Sequence, residues 1–148
     1  MKGCINMSSK RRINLSLGIL QAFIGVGAMF GGFGLMMDPS GVSLGMSVTL
    51  LHGTPFQNFF IPGLVLFSMN GLGTLIASYF TFTNRRFAGT LALLFGAGLM
   101  LWIVIQVALI GYQSLLQPIY FVLGIMEFTL GFKFKAQQSQ NSNKTVLI

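Results

Sequence analysis

The sequence predicts an all-α membrane protein, a four-transmembrane-helix bundle with both termini cytoplasmic and an ordered external loop between helices 1 and 2. Composition is the first reason, because 53% of the 148 residues are hydrophobic and only 7% are charged. Soluble domains carry about 25% charged residues. A chain with so few charged residues cannot cover a water-facing surface. We therefore expect its long apolar segments to face lipid.

Four apolar segments are long enough, or nearly so, to cross a bilayer, which takes about 20 residues. The first has a basic flank like a signal peptide, but it is longer than the usual apolar region of about 7–15 residues, so we expect an uncleaved helix. The last is the shortest, and we expect Lys133 and Lys135 to extend towards the membrane surface. The predicted spans are 13–37, 59–82, 87–110 and 118–134.

The positive charges predict the orientation. All nine Lys and Arg residues lie in 1–12, 85–86 or 133–144, which share one side of a four-span arrangement. The other side, 38–58 and 111–117, has none. The positive-inside rule therefore predicts an inner or plasma membrane protein with both termini in the cytoplasm.

The same charge distribution bears on partners and domains. The net charge of +7 could indicate nucleic-acid binding, but the charges punctuate apolar segments and form no face, so we expect no nucleic-acid partner. We expect a basic N-terminal segment at 1–12, a transmembrane domain at 13–134 and a polar tail at 135–148 that is disordered. The lipid bilayer is the predicted partner.

The external loop carries two structural signals. Residues 42–50 alternate between apolar and polar side chains, which is typical of a strand. A lone strand would lack a partner, so an extended segment across the bundle mouth is an equal alternative. Thr54 and Pro55 fit an N-cap followed by proline in the first helical position. We expect this loop to cap the outer end of the bundle.

The outer mouth holds the residues that an enzyme could use: Asp38, His52, Gln106 and Gln117. A metal site needs three or four ligands, and Asp38 is the only carboxylate near His52. Asp38 also fits a turn, Asp-Pro-Ser-Gly, that ends the first span. Because Cys4 is the only cysteine, an intrachain disulfide is impossible. We expect neither a metal site nor a cofactor.

Three polar residues are predicted to share one layer inside the membrane: Gln21, Asn70 and Glu127. At a rise of about 1.5 Å per residue, Asn70 and Glu127 lie about 14–15 Å from the outer ends of their spans, and Gln21 reaches a similar level. An ionised acid at a helix centre costs about 2.5–3.5 kcal/mol. We therefore expect a protonated Glu127 that donates to the amide of Asn70 or Gln21.

Two interpretations of this polar layer stay open, and Glu127 has an alternative position outside it. The layer could bond the helices together, or it could be a protonatable or cation-binding site, as intramembrane acids often are. In another register Glu127 would reach towards Lys133 or Lys135.

Small residues recur at helical spacing in every span, which allows close helix packing. A tight intramolecular bundle and a homodimer seam both fit this spacing, so it assigns no oligomer. The pairs are Gly27 with Gly31, Gly73 with Ala77, Gly89 with Gly96, and Gly124 with Gly131.

Several stretches between Asp38 and Gly131 are distinctive: DPSGVSLG, GTPF, IPGLVL, WIVIQVALIGY and LQPIYF. In these stretches the chain resembles a group of small, uncharacterised bacterial four-helix inner-membrane proteins. The resemblance implies a four-helix inner-membrane protein and brings no activity with it.

Three classes of function follow. The first is a non-catalytic accessory protein that binds lipid, a partner membrane protein or a second copy of itself. The second is a small proton-coupled transporter that uses Glu127. The third is a membrane enzyme that modifies lipid or isoprenoid at the outer mouth. It is the weakest because the sequence lacks paired carboxylates, a metal cluster and a nucleophile–base pair.

Overall fold

Four helices make up most of the chain. The computed structural model describes residues 2–147, with side chains from residue 7 onward, so Cys4 lies outside the described side chains. We number the helices α1, Lys2–Met37; α2, Phe60–Phe82; α3, Ala88–Ile110; and α4, Leu116–Val146. Helix α2 is α-helical over Phe60–Val65, π-helical over Leu66–Gly73 and α-helical again over Thr74–Phe82.

Three of the helices are long and apolar enough to cross a membrane: Met7–Met37 of α1, Phe60–Phe82 and Ala88–Ile110. Helix α4 is also long, at 31 residues, but it is less apolar, because it contains Gln117, Glu127 and Lys133 within its apolar part. The fold is therefore all-helical, as the sequence predicts. The predicted fourth span coincides with the first half of α4.

The helices form two antiparallel hairpins, α1 with α2 and α3 with α4. The second hairpin packs against the first through two helix pairs, α1 with α4 and α2 with α3. Glycines let the backbones approach each other. A Cβ atom at Gly96 of α3 would lie 2.8 Å from the backbone nitrogen of Phe128 in α4, closer than real contacts allow. Gly124 and Gly131 of α4 lie against α3 in the same way. These glycines therefore serve contacts within one chain.

A core cluster joins the hairpins at the end of the bundle where the basic residues lie, which we call the inner end, as opposed to the outer end at the α1–α2 loop. Leu17 of α1, Ala88 and Ala92 of α3 and Phe134 of α4 are buried together, and Phe80 of α2 packs against them. Small residues on α3 leave room for the phenyl ring of Phe134. All four helices thus meet at this end.

The external loop differs from the predicted strand. Val42–Leu44 and Val48–Leu51 are 3-10 turns, and the described residues contain no strand. Gly41 and Gly45 flank the first turn with positive φ angles of 76° and 73°, a conformation that glycine adopts without a steric penalty. The alternation of residues 42–50 does not correspond to alternating burial, because Val42, Leu44 and Val48 are exposed, whereas Leu51 after them is buried.

The predicted second span, 59–82, matches α2 to within one residue, but the helical turn predicted at Thr54 and Pro55 is absent. The helix begins at Phe60, and the backbone nitrogen of Phe60 donates to Oδ1 of Asn58 at 3.1 Å. Oγ1 of Thr54 accepts from the backbone nitrogen of Phe56 at 3.3 Å, as an N-cap would, but residues 54–59 form no helix, and the hydroxyl donates to the backbone oxygen of Leu51 at 2.9 Å. Thr54 therefore stabilises the loop, and the predicted capping role is wrong.

The loop does cap the outer end of the bundle. Leu51 and Phe59, 5% and 2% exposed, pack on Leu35 near the end of α1, and Ile110 at the end of α3 joins them. The apolar part of the loop thus covers the outer ends of α1 and α3.

The C-terminal tail, predicted to be disordered from residue 135, continues α4 as a helix to Val146. A helix that is already nucleated extends at little cost. One contact ties the tail to the bundle, because Nε2 of Gln138 donates to the backbone oxygen of Arg85 at 3.0 Å.

Candidate functional site

The first candidate site is a buried hydrogen-bond network of three side chains: Gln21 on α1, Thr81 on α2 and Glu127 on α4. Nε2 of Gln21 donates to Oε1 of Glu127 at 3.0 Å. The hydroxyl of Thr81 lies 2.7 Å from Oε1 of Gln21 and 2.9 Å from the backbone oxygen of Ala77. All three residues are 0% exposed. The network connects three helices and so joins the two hairpins.

One atom of this network is unsatisfied. Oε2 of Glu127 is buried and has no hydrogen-bond partner, and no ion pair reaches this carboxyl within the described side chains. An uncompensated buried charge is far more costly than a neutral carboxyl. The arrangement therefore suits a protonated Glu127 that accepts one hydrogen bond from Gln21.

Asn70 lies outside this network. Its side chain is 4% exposed, and no side-chain hydrogen bond reaches it among the described residues. Gly63 of α2 lies against Leu35 near the end of α1, whereas Tyr120 of α4 lies against Gly27. Helix α2 therefore starts nearer the outer end of the bundle than α4 does. Asn70 and Glu127, counted at similar distances from the starts of their helices, consequently lie at different depths in the bundle. Thr81 takes the position predicted for Asn70.

The second candidate site is a cavity of about 370 Å³ in the outer half of the bundle. Here the two hairpins separate, and the external loop lies over the gap. The walls come from all four helices, the external loop and the α3–α4 connection. They include Gly31 of α1, Met46 of the loop, Leu66 of α2, Trp102 and Gln106 of α3, and Tyr120 of α4.

The cavity wall is apolar with a few polar groups, and no charged residue lines it. Nε1 of Trp102 is buried without a hydrogen-bond partner, which is unusual for a buried donor. Gln106 and Tyr120 add an amide and a hydroxyl. Such a cavity can hold an apolar chain and offer a few hydrogen bonds to an uncharged group.

Gln117 shapes the rim of the cavity. Its Oε1 accepts from the backbone nitrogen of Gln113 at 2.9 Å, and its Nε2 donates to the backbone oxygen of Gly111 at 3.3 Å. Both bonds fix the connection between α3 and α4. The role of Gln117 is thus to hold the rim.

Asp38 and His52 do not line this cavity. The Asp38 carboxylate accepts from the Ser40 hydroxyl and from the backbone nitrogen of Ser43, the latter at 2.8 Å. The Ser40 hydroxyl and then the Ser43 amide lower the pKa of Asp38 to about 2. The carboxylate is therefore charged at neutral pH and committed to the turn after α1. His52 is exposed, and no hydrogen bond joins it to Asp38.

The outer-mouth residues thus separate into two groups. Gln106 and Gln117 belong to the cavity, while Asp38 and His52 belong to the loop surface. The described residues contain no cluster of His, Cys, Asp and Glu that could hold a metal ion.

Among the polar side chains on which the two sites depend, Thr81, Trp102 and Tyr120 were not predicted. Trp102 is the only tryptophan, which was an available signal. Thr81 offered none, because a single threonine near a helix end usually bonds its own backbone.

No family model matches the chain, and no curated protein or solved structure is similar to it at a significant level. The resemblance to small bacterial inner-membrane proteins therefore stays a prediction.

Proposed function

We propose that the protein is a non-catalytic, four-span protein of the bacterial inner membrane that binds a membrane amphiphile in its outer cavity. The occupant would have one acyl or isoprenoid chain and an uncharged polar group such as an ester or hydroxyl. The observation that carries this proposal is the cavity of about 370 Å³ with the unpaired indole N–H of Trp102 in its wall. Ligand cavities in proteins commonly span about 300–1,000 Å³.

The chemistry of the wall supports this choice of ligand. An apolar chain gains free energy from contact with the side chains of Leu66, Ile103 and Leu116. The Trp102 N–H can donate to a carbonyl or hydroxyl oxygen. A charged headgroup would meet no counter-charge, because the wall contains no charged side chain.

Four spans with both termini in the cytoplasm remain part of the proposal. Three helices are long and apolar enough to span, and the basic residues favour the cytoplasm for their end of the bundle. The polar groups of α4 have partners that reduce the cost of a fourth crossing: Glu127 bonds to Gln21, and Gln117 bonds to the rim.

One observation favours the second candidate, a proton-coupled carrier. Oε2 of Glu127 is free, and a buried carboxyl with a free oxygen can gain or lose a proton. Against this function, Oε1 is bonded to Gln21, and Glu127 does not line the cavity. The enzyme candidate has less support, because Asp38 and His52 lie apart from Gln106 and Gln117.

Native mass spectrometry of the purified protein tests the proposal. The probes are monoolein and oleate, which carry the same chain with an uncharged or an anionic headgroup. We expect wild-type protein to bind monoolein in preference to oleate. Gly31→Leu should abolish binding because the new side chain fills the cavity, and Trp102→Phe should weaken it about 2- to 10-fold by removing one hydrogen bond.

Gly98→Leu is the matched control, because a Cβ atom at Gly98 would meet nothing within 4 Å. It should bind monoolein as the wild type does. Equal binding by Gly31→Leu and Gly98→Leu, with both folded by circular dichroism, would contradict the proposal.

A further inference from the structure

The inner end of the bundle, opposite the cavity, carries two adjoining clefts. The first turns of α1, the α2–α3 connection at 83–87 and the C-terminal extension of α4 converge there. A polar cleft of about 460 Å³ and an amphipathic cleft of about 480 Å³ share Lys10, Asn84 and Asn141. The two clefts thus form one continuous surface.

The polar cleft brings three cations together from three separate segments. Lys10 comes from α1, Arg86 from the α2–α3 connection and Lys135 from α4, and amide side chains lie between them, including Gln138 and Asn143. The chain has only two acidic residues. Asp38 lies at the outer end and Glu127 is buried, so no Asp or Glu side chain neutralises the cleft.

Hydrogen bonds hold the walls of the polar cleft in place. Nε2 of Gln138 donates to the backbone oxygen of Arg85 at 3.0 Å, which fixes the α4 extension against the α2–α3 connection. Nδ2 of Asn14 lies 3.4 Å from Oδ1 of Asn84, a long contact that links α1 to the same connection. The three like charges are thus held close by bonds that do not involve them, so an anion between them would reduce their repulsion.

The amphipathic cleft adds apolar side chains to the cations. Met7, Leu15 and Phe82 line it beside Lys10 and Arg11. These apolar side chains are 76%, 53% and 50% exposed, respectively. Phe82 is the last residue of α2, so the cleft lies at the boundary between the apolar span and the polar inner end.

We propose that these clefts bind an anionic phospholipid of the inner leaflet. Its phosphate would lie among Lys10, Arg86 and Lys135, and the start of an acyl chain would lie along Met7, Leu15 and Phe82. Clusters of basic residues next to a transmembrane helix commonly attract anionic lipids. The apolar side chains of the amphipathic cleft favour a phospholipid over a nucleic acid, because a nucleic acid has no acyl chain to place against them. The site is independent of the outer cavity.

The test is lipid binding to the full-length protein in neutral detergent, measured by native mass spectrometry with phosphatidylglycerol and phosphatidylcholine of identical chains. We expect preference for phosphatidylglycerol. The triple variant Lys10→Gln, Arg86→Gln, Lys135→Gln should lower phosphatidylglycerol affinity about 10- to 100-fold. The control triple Arg12→Gln, Lys133→Gln, Lys144→Gln removes the same charge outside the clefts and should change the affinity much less.

Three results would overturn the proposal. Equal losses in the two triple variants would show that total charge matters and the clefts do not. Equal binding of phosphatidylcholine and phosphatidylglycerol by the wild type would show that the headgroup charge is not recognised. Competition by glycerol 3-phosphate or a short single-stranded DNA at the concentration of the lipid would show a soluble anion as the ligand.

Discussion

Glu127 illustrates how far depth counting can locate a partner in a membrane helix. The count predicted Gln21 or Asn70 as the partner, and the structure joins Glu127 to Gln21 at 3.0 Å. Asn70 was misplaced because the outer ends of α2 and α4 lie at different depths. The sequence contains no direct measure of that offset, since it depends on how the loops fold. The sequence therefore identified which polar residues lie inside the bundle better than it identified which of them form hydrogen bonds with each other.

Substitutions at Glu127 separate a structural role from a charge-dependent one. Glu127→Gln keeps a neutral oxygen acceptor for Gln21, so we expect little change in the free energy of unfolding. Glu127→Leu leaves the Gln21 amide without that acceptor and should cost about 1–3 kcal/mol. A cycle with Gln21→Leu should give a coupling of about 0.6–1.7 kcal/mol. Unfolding in mixed detergent micelles, followed by circular dichroism, measures each value.

The opposite pattern would contradict the neutral network. If Glu127→Gln destabilises the protein as much as Glu127→Leu, the carboxyl acts through something other than a neutral oxygen. If Glu127→Gln folds normally but abolishes proton uptake in liposomes, the carrier candidate replaces the binding protein.

At the scale of elements, the helices were predictable and the connections were not. The bounds of α2 and α3 follow from long apolar runs between basic or turn-forming residues. Helix α1 instead begins at Lys2, within the basic segment that precedes the predicted span 13–37. The 3-10 turns of the external loop depend on Gly41, Gly45 and the Asp38 carboxylate acting together, which an alternating pattern does not reveal. The helical tail was missed because composition alone describes a segment in isolation, whereas α4 already nucleates it.

The π-helical part of α2, Leu66–Gly73, also has no sequence signature. Its first residue, Leu66, lines the outer cavity, and its middle contains the buried Asn70. Short π-helical segments occur often at functional sites. This position is consistent with the cavity as the functional region.

Glycine substitutions test the packing of α3 against α4. Gly96→Ala would place a Cβ atom 2.8 Å from the backbone nitrogen of Phe128 and 3.0 Å from the backbone oxygen of Gly124. The backbone cannot yield without separating the helices, so we expect a loss of about 1–3 kcal/mol in the free energy of unfolding. Unfolding in mixed micelles measures it.

Gly98→Ala is the paired control on the same helix. A Cβ atom there meets nothing within 4 Å, and alanine favours a helix over glycine by about 1 kcal/mol. We expect the free energy of unfolding of Gly98→Ala to equal or exceed that of the wild type. Similar losses for Gly96→Ala and Gly98→Ala would argue against a close α3–α4 contact.

At the scale of the whole molecule, the two hairpins meet tightly at the inner end and separate at the outer end. The inner contact uses the core cluster around Leu17 and Phe134 and the network around Glu127. The outer separation creates the cavity. The pairing of Gln21 with Glu127 was one of two predicted from the sequence. The core cluster and the cavity were not predicted, because both depend on the relative depths of the hairpins. What the sequence predicts is the side of the membrane, through the positions of its basic residues.

Cysteine accessibility tests the four-span arrangement most directly, because the cavity and the inner clefts both depend on it. In a Cys4→Ser background, Val42→Cys places a thiol in the external loop and Gln140→Cys places one in the α4 extension. Both positions are exposed. If α4 crosses the membrane, they lie on opposite sides. If only α1 to α3 cross, they lie on the same side.

An impermeant maleimide applied to intact and permeabilised bacterial spheroplasts makes the measurement. We expect Val42→Cys to react in intact spheroplasts and Gln140→Cys to react only after permeabilisation. Reaction of both positions in intact spheroplasts would contradict the account, because α4 would then not span the membrane and Lys135 would lie on the opposite side from Lys10 and Arg86, with which it lines the polar cleft.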